Sequence, residues 1–395
     1  MATLRQAVER LRDREKLPRS PVIGMRGLLQ TFRPTPAGST RALVDRMFGS
    51  EAERLSWAVI LCRFKGERPD ATREDATERL YRGMFAPRTG GLVEYWRDVS
   101  LGAIDVSGSR VFGWLELDLA RADAGIGSGA NRSTLVDAAI AAAQRDGLDP
   151  INGFHSQIAV FTRNWSKDGA PAGADWRTPA WSAFWIDGSA DGRGKVTLTP
   201  PHDGNITAHE MGHGFGMQHD VSVDLKTHYA DPCCIMSQAS PFTHPVWRVN
   251  FGPALCLPHL VAHKWMYKHR VFHDGGAWLS QPNGISVPLA SISDPGAHAN
   301  LGVQLAYTNG QTAWDYYLEY ARPREWNQGL TDGSVFIRRI AAADVGPTPS
   351  ILGSIRVPAT VGVPASFLEP IGNVWFEVQR FDAAGRIVKV TAKKV

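Results

Sequence analysis

Residues 209–220 read H-E-M-G-H-G-F-G-M-Q-H-D, and no other stretch restricts the local fold so tightly. On a helix, His209 and His213 are four residues apart, so their imidazoles project from one face, one turn from each other. Glu210 lies beside the first histidine, where a carboxylate reaches a metal-bound water without being a ligand itself. A helix cannot continue and still bring His219 to the same point. Gly216 can end it, because glycine enters the left-handed region without a Cβ penalty and turns the chain back. Three neutral imidazoles leave a fourth position of a tetrahedral zinc ion for water, the arrangement of an open catalytic site. The segment therefore predicts one catalytic Zn2+ on His209, His213 and His219, with Glu210 as general base. The plainer alternative is a helix carrying solvated surface histidines. It has real weight for a bare H-E-x-x-H and much less once Gly216, His219 and Asp220 are also in place.

The chain has 395 residues, enough for two domains with a buried core. Its 43% hydrophobic and 21% charged content is that of a soluble globular protein. A net charge of +4 with no basic block gives no electrostatic case for nucleic acid or an anionic membrane. No apolar run approaches the roughly 20 residues of a transmembrane helix. The N-terminus is charged throughout and lacks an apolar h-region, so no secretory leader is expected in this chain. Four cysteines (Cys62, Cys233, Cys234, Cys256) are too few for a disulfide scaffold. Pairing of Cys256 with Cys233 or Cys234 and buried free thiols both remain open.

Along the chain, residues 1–54 read as an N-terminal extension. Trp57–Phe64 is an apolar run of buried-strand length, followed by a helix over Thr72–Tyr81 with Thr72 and Asp75 in capping-box spacing. Ser133–Arg145 is an alanine-rich helix stopped by Gly147, and Asn205 stands where a cap for the histidine helix is expected. Strands at Gln157–Thr162 and Trp181–Ile186 complete an alternation that predicts a mixed α/β (α+β) catalytic domain over 55–272, with a mixed sheet and a zinc helix. Beyond it, Ile285–Ile292, Val303–Tyr307, Tyr316–Tyr320, Ser334–Ile340, Val374–Arg380 and Ile387–Thr391 are strand-like. Residues 273–395 are expected to form a C-terminal antiparallel β-sandwich.

H-E-x-x-H-x-x-G-x-x-H-D resembles the signature of the metzincin zinc peptidases. Those enzymes also carry a tight turn with a methionine beneath the metal ligands. Cys233-Cys234-Ile235-Met236-Ser237 resembles it, with Met236 17 residues past His219. Tyr95–Trp114, Phe251–Met266 and Tyr316–Ile340 look like the flanking segments of immune-inhibitor-A-like and gametolysin-like secreted peptidases. The resemblance implies a zinc-dependent endopeptidase acting on a protein or peptide substrate. It also implies structural roles at the site for Gly216, Asp220 and Met236. It further implies an edge strand that pairs with extended substrate, for which Trp181, Ser182, Ala183 and Phe184 are the candidates. Ser240, Pro241 and Phe242 would form a pocket wall suited to apolar side chains. Relatives of this kind are secreted, which favours an extracellular location.

Two features depart from parts of that family. Gln238 stands where some members place a tyrosine ligand, and residues 1–54 hold no cysteine to mask the metal. The other histidines, His202, His228, His244, His259 and His263, lack ligand spacing to one another and read as surface or supporting residues, with His202-Asp203 the best placed to support the metal site. Trp165, Trp176, Trp181 and Trp185 read mainly as core packing. The pairs Asp187/Asp191 and Asp146/Asp149 have no EF-hand spacing, so calcium is not expected from them. Two rival functions share the motif: a zinc hydrolase of non-peptide amides or cell-wall peptides, and a non-catalytic binding protein on the same fold. Oligomeric state is not legible.

Overall fold

The computed structural model describes residues 52–123, 132–161, 185–188, 194–200, 202–222, 229–237, 240–310, 312–341 and 348–395. The chain is mixed α/β, with several sheets, few helices and an antiparallel C-terminal sheet. It divides into two compact units. The first is Ala52–Gln218 with Pro241–Pro253; the second contains His219–Ser240 and Ala254–Val395. This division runs differently from linear domains at 55–272 and 273–395, because the segments around residues 219–240 and 254–272 pack with the C-terminal strands.

Within the first unit, β1 (Glu53–Arg54) pairs with β3 (Ile104–Asp105) outside the main sheet. The main sheet has the order β4 (Arg110–Glu116), β2 (Trp57–Arg63), β5 (Ser156–Phe161), β7 (Gly194–Leu198), β6 (Trp185–Gly188). Its pairings are parallel except the last, where β6 runs antiparallel along β7 at the sheet edge. The continuous apolar run of β2 is explained by this placement, since both of its faces are covered. Ala58, Ile60 and Cys62 face a core shared with Ala139, Ala142 and Ala143 of α3 (Arg132–Arg145). On the opposite face, the Trp57 ring lies edge-on to Phe215 at 5.7 Å, and Phe215 meets Trp96 at 4.8 Å. Trp96 belongs to α2 (Leu92–Val99), and Phe215 caps α4 (Gly204–Gly214).

The helix expected over Thr72–Tyr81 is longer. It is α1 (Ala71–Met84), and its cap is Asp70, whose carboxylate accepts from Arg73 N at 3.2 Å. Glu74 Oε1 reaches back to Asp70 N at 3.3 Å, so the reciprocal cap lies two residues before the one read from Thr72.

The second unit holds two sheets. One has the order β11 (Val271–Asp274), β13 (Gly302–Asn309), β14 (Thr312–Ala321), β15 (Ser334–Ala341), β16 (Ser350–Arg356), β8 (Val221–Ser222). The other has the order β12 (Ile285–Ala290), β19 (Ile387–Lys394), β18 (Val374–Arg380), β17 (Pro364–Glu369). The second sheet is antiparallel throughout, whereas the first ends in a parallel pairing at each edge, β11 with β13 and β8 with β16. One apolar core serves both sheets, with Leu305, Leu318 and Ile337 from the first and Leu289, Phe376 and Val388 from the second. Tyrosine hydroxyls in that core are all spoken for: Tyr316 donates to Glu369 Oε2 at 2.7 Å and Tyr307 to Gly372 O at 2.8 Å. The short helix α5 (Leu257–Ala262) packs on β14.

A short ribbon of β9 (Phe242–Thr243) and β10 (Asn250–Phe251) supports the start of α4. A Cβ on Gly204 would lie 2.3 Å from the Phe251 ring. Gly204→Ala is accordingly expected to destabilise the protein by about 1–3 kcal/mol, seen as a lower urea midpoint with unchanged m.

Candidate metal centre

Helix α4 carries the motif, and its ends are set by specific bonds. Asp203 holds the N-cap position in extended conformation, not Asn205, which lies inside the helix. The Asp203 carboxylate does not cap the first turn; it accepts from Asn250 N at 3.0 Å and Asn250 Nδ2 at 3.2 Å, tying the helix to β10. Asn205 is buried, and its Oδ1 has no hydrogen-bond partner among the described residues. At the other end Gly216 takes φ +90°, and Met217 N donates to Gly212 O at 3.1 Å. That five-residue back-bond with a left-handed glycine is a Schellman stop, and it turns the chain directly after His213.

The two helical histidines converge. His213 Nε2 and His209 Nε2 are 3.2 Å apart, with the rings nearly perpendicular at 86°. His213 Nδ1 donates to Met217 O at 2.8 Å, so in the neutral ring Nε2 is the lone-pair nitrogen. Two ligand nitrogens on one tetrahedral zinc stand about 3.3 Å apart when each Zn–N bond is about 2.0–2.1 Å. The observed separation matches that requirement, and Met217, whose N–H closes the helix stop, also orients the His213 ring through its carbonyl. His219 lies beyond the helix stop and opens the second unit. His209 and His213 together fit two adjacent ligands of a metal centre.

Glu210 is 4% exposed, beside His209 on the helix. Asp220 is fully buried, with Oδ1 2.9 Å from His259 Nε2. Met236 is fully buried in a tight turn closed by Ser237 N donating to Cys234 O at 3.0 Å. Phe242 lies half-buried in β9. Trp181, Ser182, Ala183 and Phe184 lie outside the described residues, as do Trp165, Trp176, His228 and Gln238. Of the expected edge segment, Trp185 and Ile186 form the start of β6, which has β7 as its single sheet neighbour among the described residues. Helix α4 packs against both β6 and β7.

Tyr229 was not legible in the sequence. Its hydroxyl is 3.2 Å from His219 Nε2, the rings are 4.6 Å apart, and its φ of +63° is left-handed. No motif spacing marks a tyrosine placed this way. All four cysteines are buried free thiols, which resolves their open pairing.

His202, read as a residue supporting the metal site, packs against Tyr81 of α1. Its Nδ1 is 3.2 Å from Tyr81 Oη, and burial pushes its pKa down to about 4. The folded state thus prefers the neutral ring. The stability this preference contributes is complete above pH 6.5 and is lost as pH falls from 6.5 towards 4. His202→Phe is expected to flatten the acid limb of stability between those values, by roughly 1–3 kcal/mol in pH-dependent urea unfolding. An unaltered acid limb would contradict it.

No protein-family model matches the chain, and no curated protein matches it.

Proposed function

We propose that this chain is a zinc-dependent endopeptidase of the metzincin type that residues 209–220 resemble. The observation that carries the reading is the convergence of His209 and His213 Nε2 at 3.2 Å, with His213 oriented by the Met217 carbonyl. His209, His213 and His219 would hold the ion. When bound, zinc supplies a Lewis acid that acidifies water and polarises the scissile carbonyl.

The protein's own groups do the rest. Glu210 serves as general base for the attacking water and returns the proton to the leaving amine nitrogen. Its burial beside His209 favours proton transfer within the site over exchange with bulk solvent. The Gly216 turn sets where the chain leaves the helix, three residues before His219. Strand β6, at the sheet edge among the described residues, would offer an extended substrate a row of backbone donors and acceptors. Such pairing aligns a peptide backbone without regard to its side chains, which suits an endopeptidase.

The test is a peptide-library digest by the zinc-loaded chain with and without a chelator. Internal cleavage that stops on chelation and returns with zinc is expected. Protein shown to carry zinc that leaves every peptide intact would sink the proposal.

A further inference from the structure

Asp220, Cys234, Cys256 and His259 form a second potential ligand set, separate from the three-histidine group. One donor atom from each lies within 4.8 Å of the others, and all four side chains are fully buried in the second unit. Cys256 precedes α5 and His259 lies three residues on, in its first turn. Cys234 opens the turn that holds Met236, and its neighbour Ile235 N donates to Ala254 O at 2.9 Å, which fixes the two cysteine segments side by side. Asp220 directly precedes β8.

The chemistry of this set is unusual for a protein core. Asp220 Oδ1 is 2.9 Å from His259 Nε2 and Oδ2 accepts from Cys256 Sγ at 3.7 Å. The other imidazole nitrogen, Nδ1, is buried with no hydrogen-bond partner among the described residues. Two thiol protons and one imidazole N–H stand against the lone pairs of a carboxylate and two sulfurs, so lone pairs outnumber protons. A buried group rich in lone pairs is stabilised by a cation.

We infer that Asp220, Cys234, Cys256 and His259 bind a second divalent transition-metal ion, zinc by ligand chemistry, in a closed structural site. Two sulfurs, one imidazole and one carboxylate make a four-coordinate donor set that zinc accepts. Four protein ligands leave no position for water, so this ion takes no part in hydrolysis. One divalent cation enters as two thiol protons leave, so the net buried charge is unchanged and the ion brings no new uncompensated charge into the core. Its effect is mechanical: it ties the residue after His219 to the turn that holds Met236 and to α5. Because binding energy at a structural site is folding energy, the second unit is stabilised by the ion.

The test uses the full chain with His209→Ala and His213→Ala together, which removes the motif site, stripped of metal under reducing conditions and titrated with Co(II). About one ion per chain is expected, with the near-ultraviolet charge-transfer absorption of a cobalt–thiolate bond. Adding Cys62→Ser and Cys233→Ser should leave that absorption, since these sulfurs are not ligands. Adding Cys256→Ser should abolish it. A folded double variant that binds no cobalt, or binds it without the thiolate absorption, overturns the inference. So does loss of the absorption in the Cys62→Ser/Cys233→Ser protein, or a Cys234–Cys256 disulfide in the peptide map of the native chain. If Cys256→Ser does not fold, the Cys62→Ser/Cys233→Ser spectrum still decides which sulfurs bind. Peptidase activity has no bearing on this readout, so the two proposals stand or fall separately.

Discussion

Glu210→Ala is expected to lower peptide hydrolysis by about 10²–10⁴-fold, the range a positioned acid–base group contributes. Zinc content should be unaltered, because in the proposed site the carboxylate stands next to the ligand His209 and is not a ligand itself. The helix should survive as well, since alanine is the best helix former and Glu210 sits in the middle of α4. The loss should fall on kcat more than on KM, because proton transfer belongs to the transition state and not to substrate binding. Measuring kcat, KM and bound zinc on the same preparation separates the outcomes. Full activity in the variant would remove Glu210 from the mechanism; loss of zinc would reassign it to metal binding.

The largest stability effect is expected at Arg338. This guanidinium on β15 is fully buried, and two buried carboxylates face it. Nε donates to Asp231 Oδ2, Nη2 donates to Asp231 Oδ1 at 3.0 Å, and Nη1 stands 3.0 Å from Glu319 Oε1. The last approach is an ion pair without hydrogen-bond alignment, and among the described residues neither Nη1 nor Oε1 has a hydrogen-bond partner. Glu319 Oε2 instead accepts from Leu257 N, which starts α5. One arginine thus joins a central strand, the segment before the methionine turn and the helix that carries His259.

Arg338→Met keeps much of the volume and removes the charge, leaving two carboxylates in the core. A cost of about 3–5 kcal/mol follows from breaking a buried pair by deleting one partner. The deficit should also depend on pH. Burial already pushes Glu319 up to about 7 with Arg338 opposing it, and pushes Asp231 up as well. Carboxyl groups raised in the folded state contribute stability at low pH that is lost as pH rises through the folded value. Without Arg338 the two groups stay neutral to higher pH, so the variant should lose more stability at pH 8 than at pH 6. Urea unfolding at both values checks this; equal deficits would mean the carboxylates find other partners.

The strands and helices that were legible in sequence are those whose pattern is complete over a short window. The β2 run has a face on each side of the sheet to fill, and β18 was found at its own bounds because buried and exposed residues alternate along it. Among the strands of the second unit that were not legible, two show why. Ser350–Arg356 contains Gly353, which breaks the alternation. The glycine is there because a Cβ would come within 2.9 Å of the Phe367 ring on β17. Pro364–Glu369 opens with proline and is an edge strand of its sheet, where one side needs no ladder bonds.

The histidine segment was legible for a related reason. Within a dozen residues, helix geometry alone fixes that His209 and His213 share a face, and one glycine decides where the chain turns. Backbone dihedrals propagate over that distance, so spacing in sequence is spacing in space. Contacts between distant segments carry no such signal. Asp220 and His259 are 39 positions apart, and Arg338 and Asp231 are 107 apart. A lone aspartate, two scattered cysteines and a histidine without a partner in its own helix read as unrelated residues until the fold brings them together. The sequence by itself determined the reach and orientation of the helix that carries His209 and His213, and its stop. Only the tertiary structure decided that Tyr229 meets His219 and that Arg338 neutralises a buried acidic pair. It alone assembled four buried donors into a second ligand set, because burial and long-range packing bring those groups together and no local pattern encodes them.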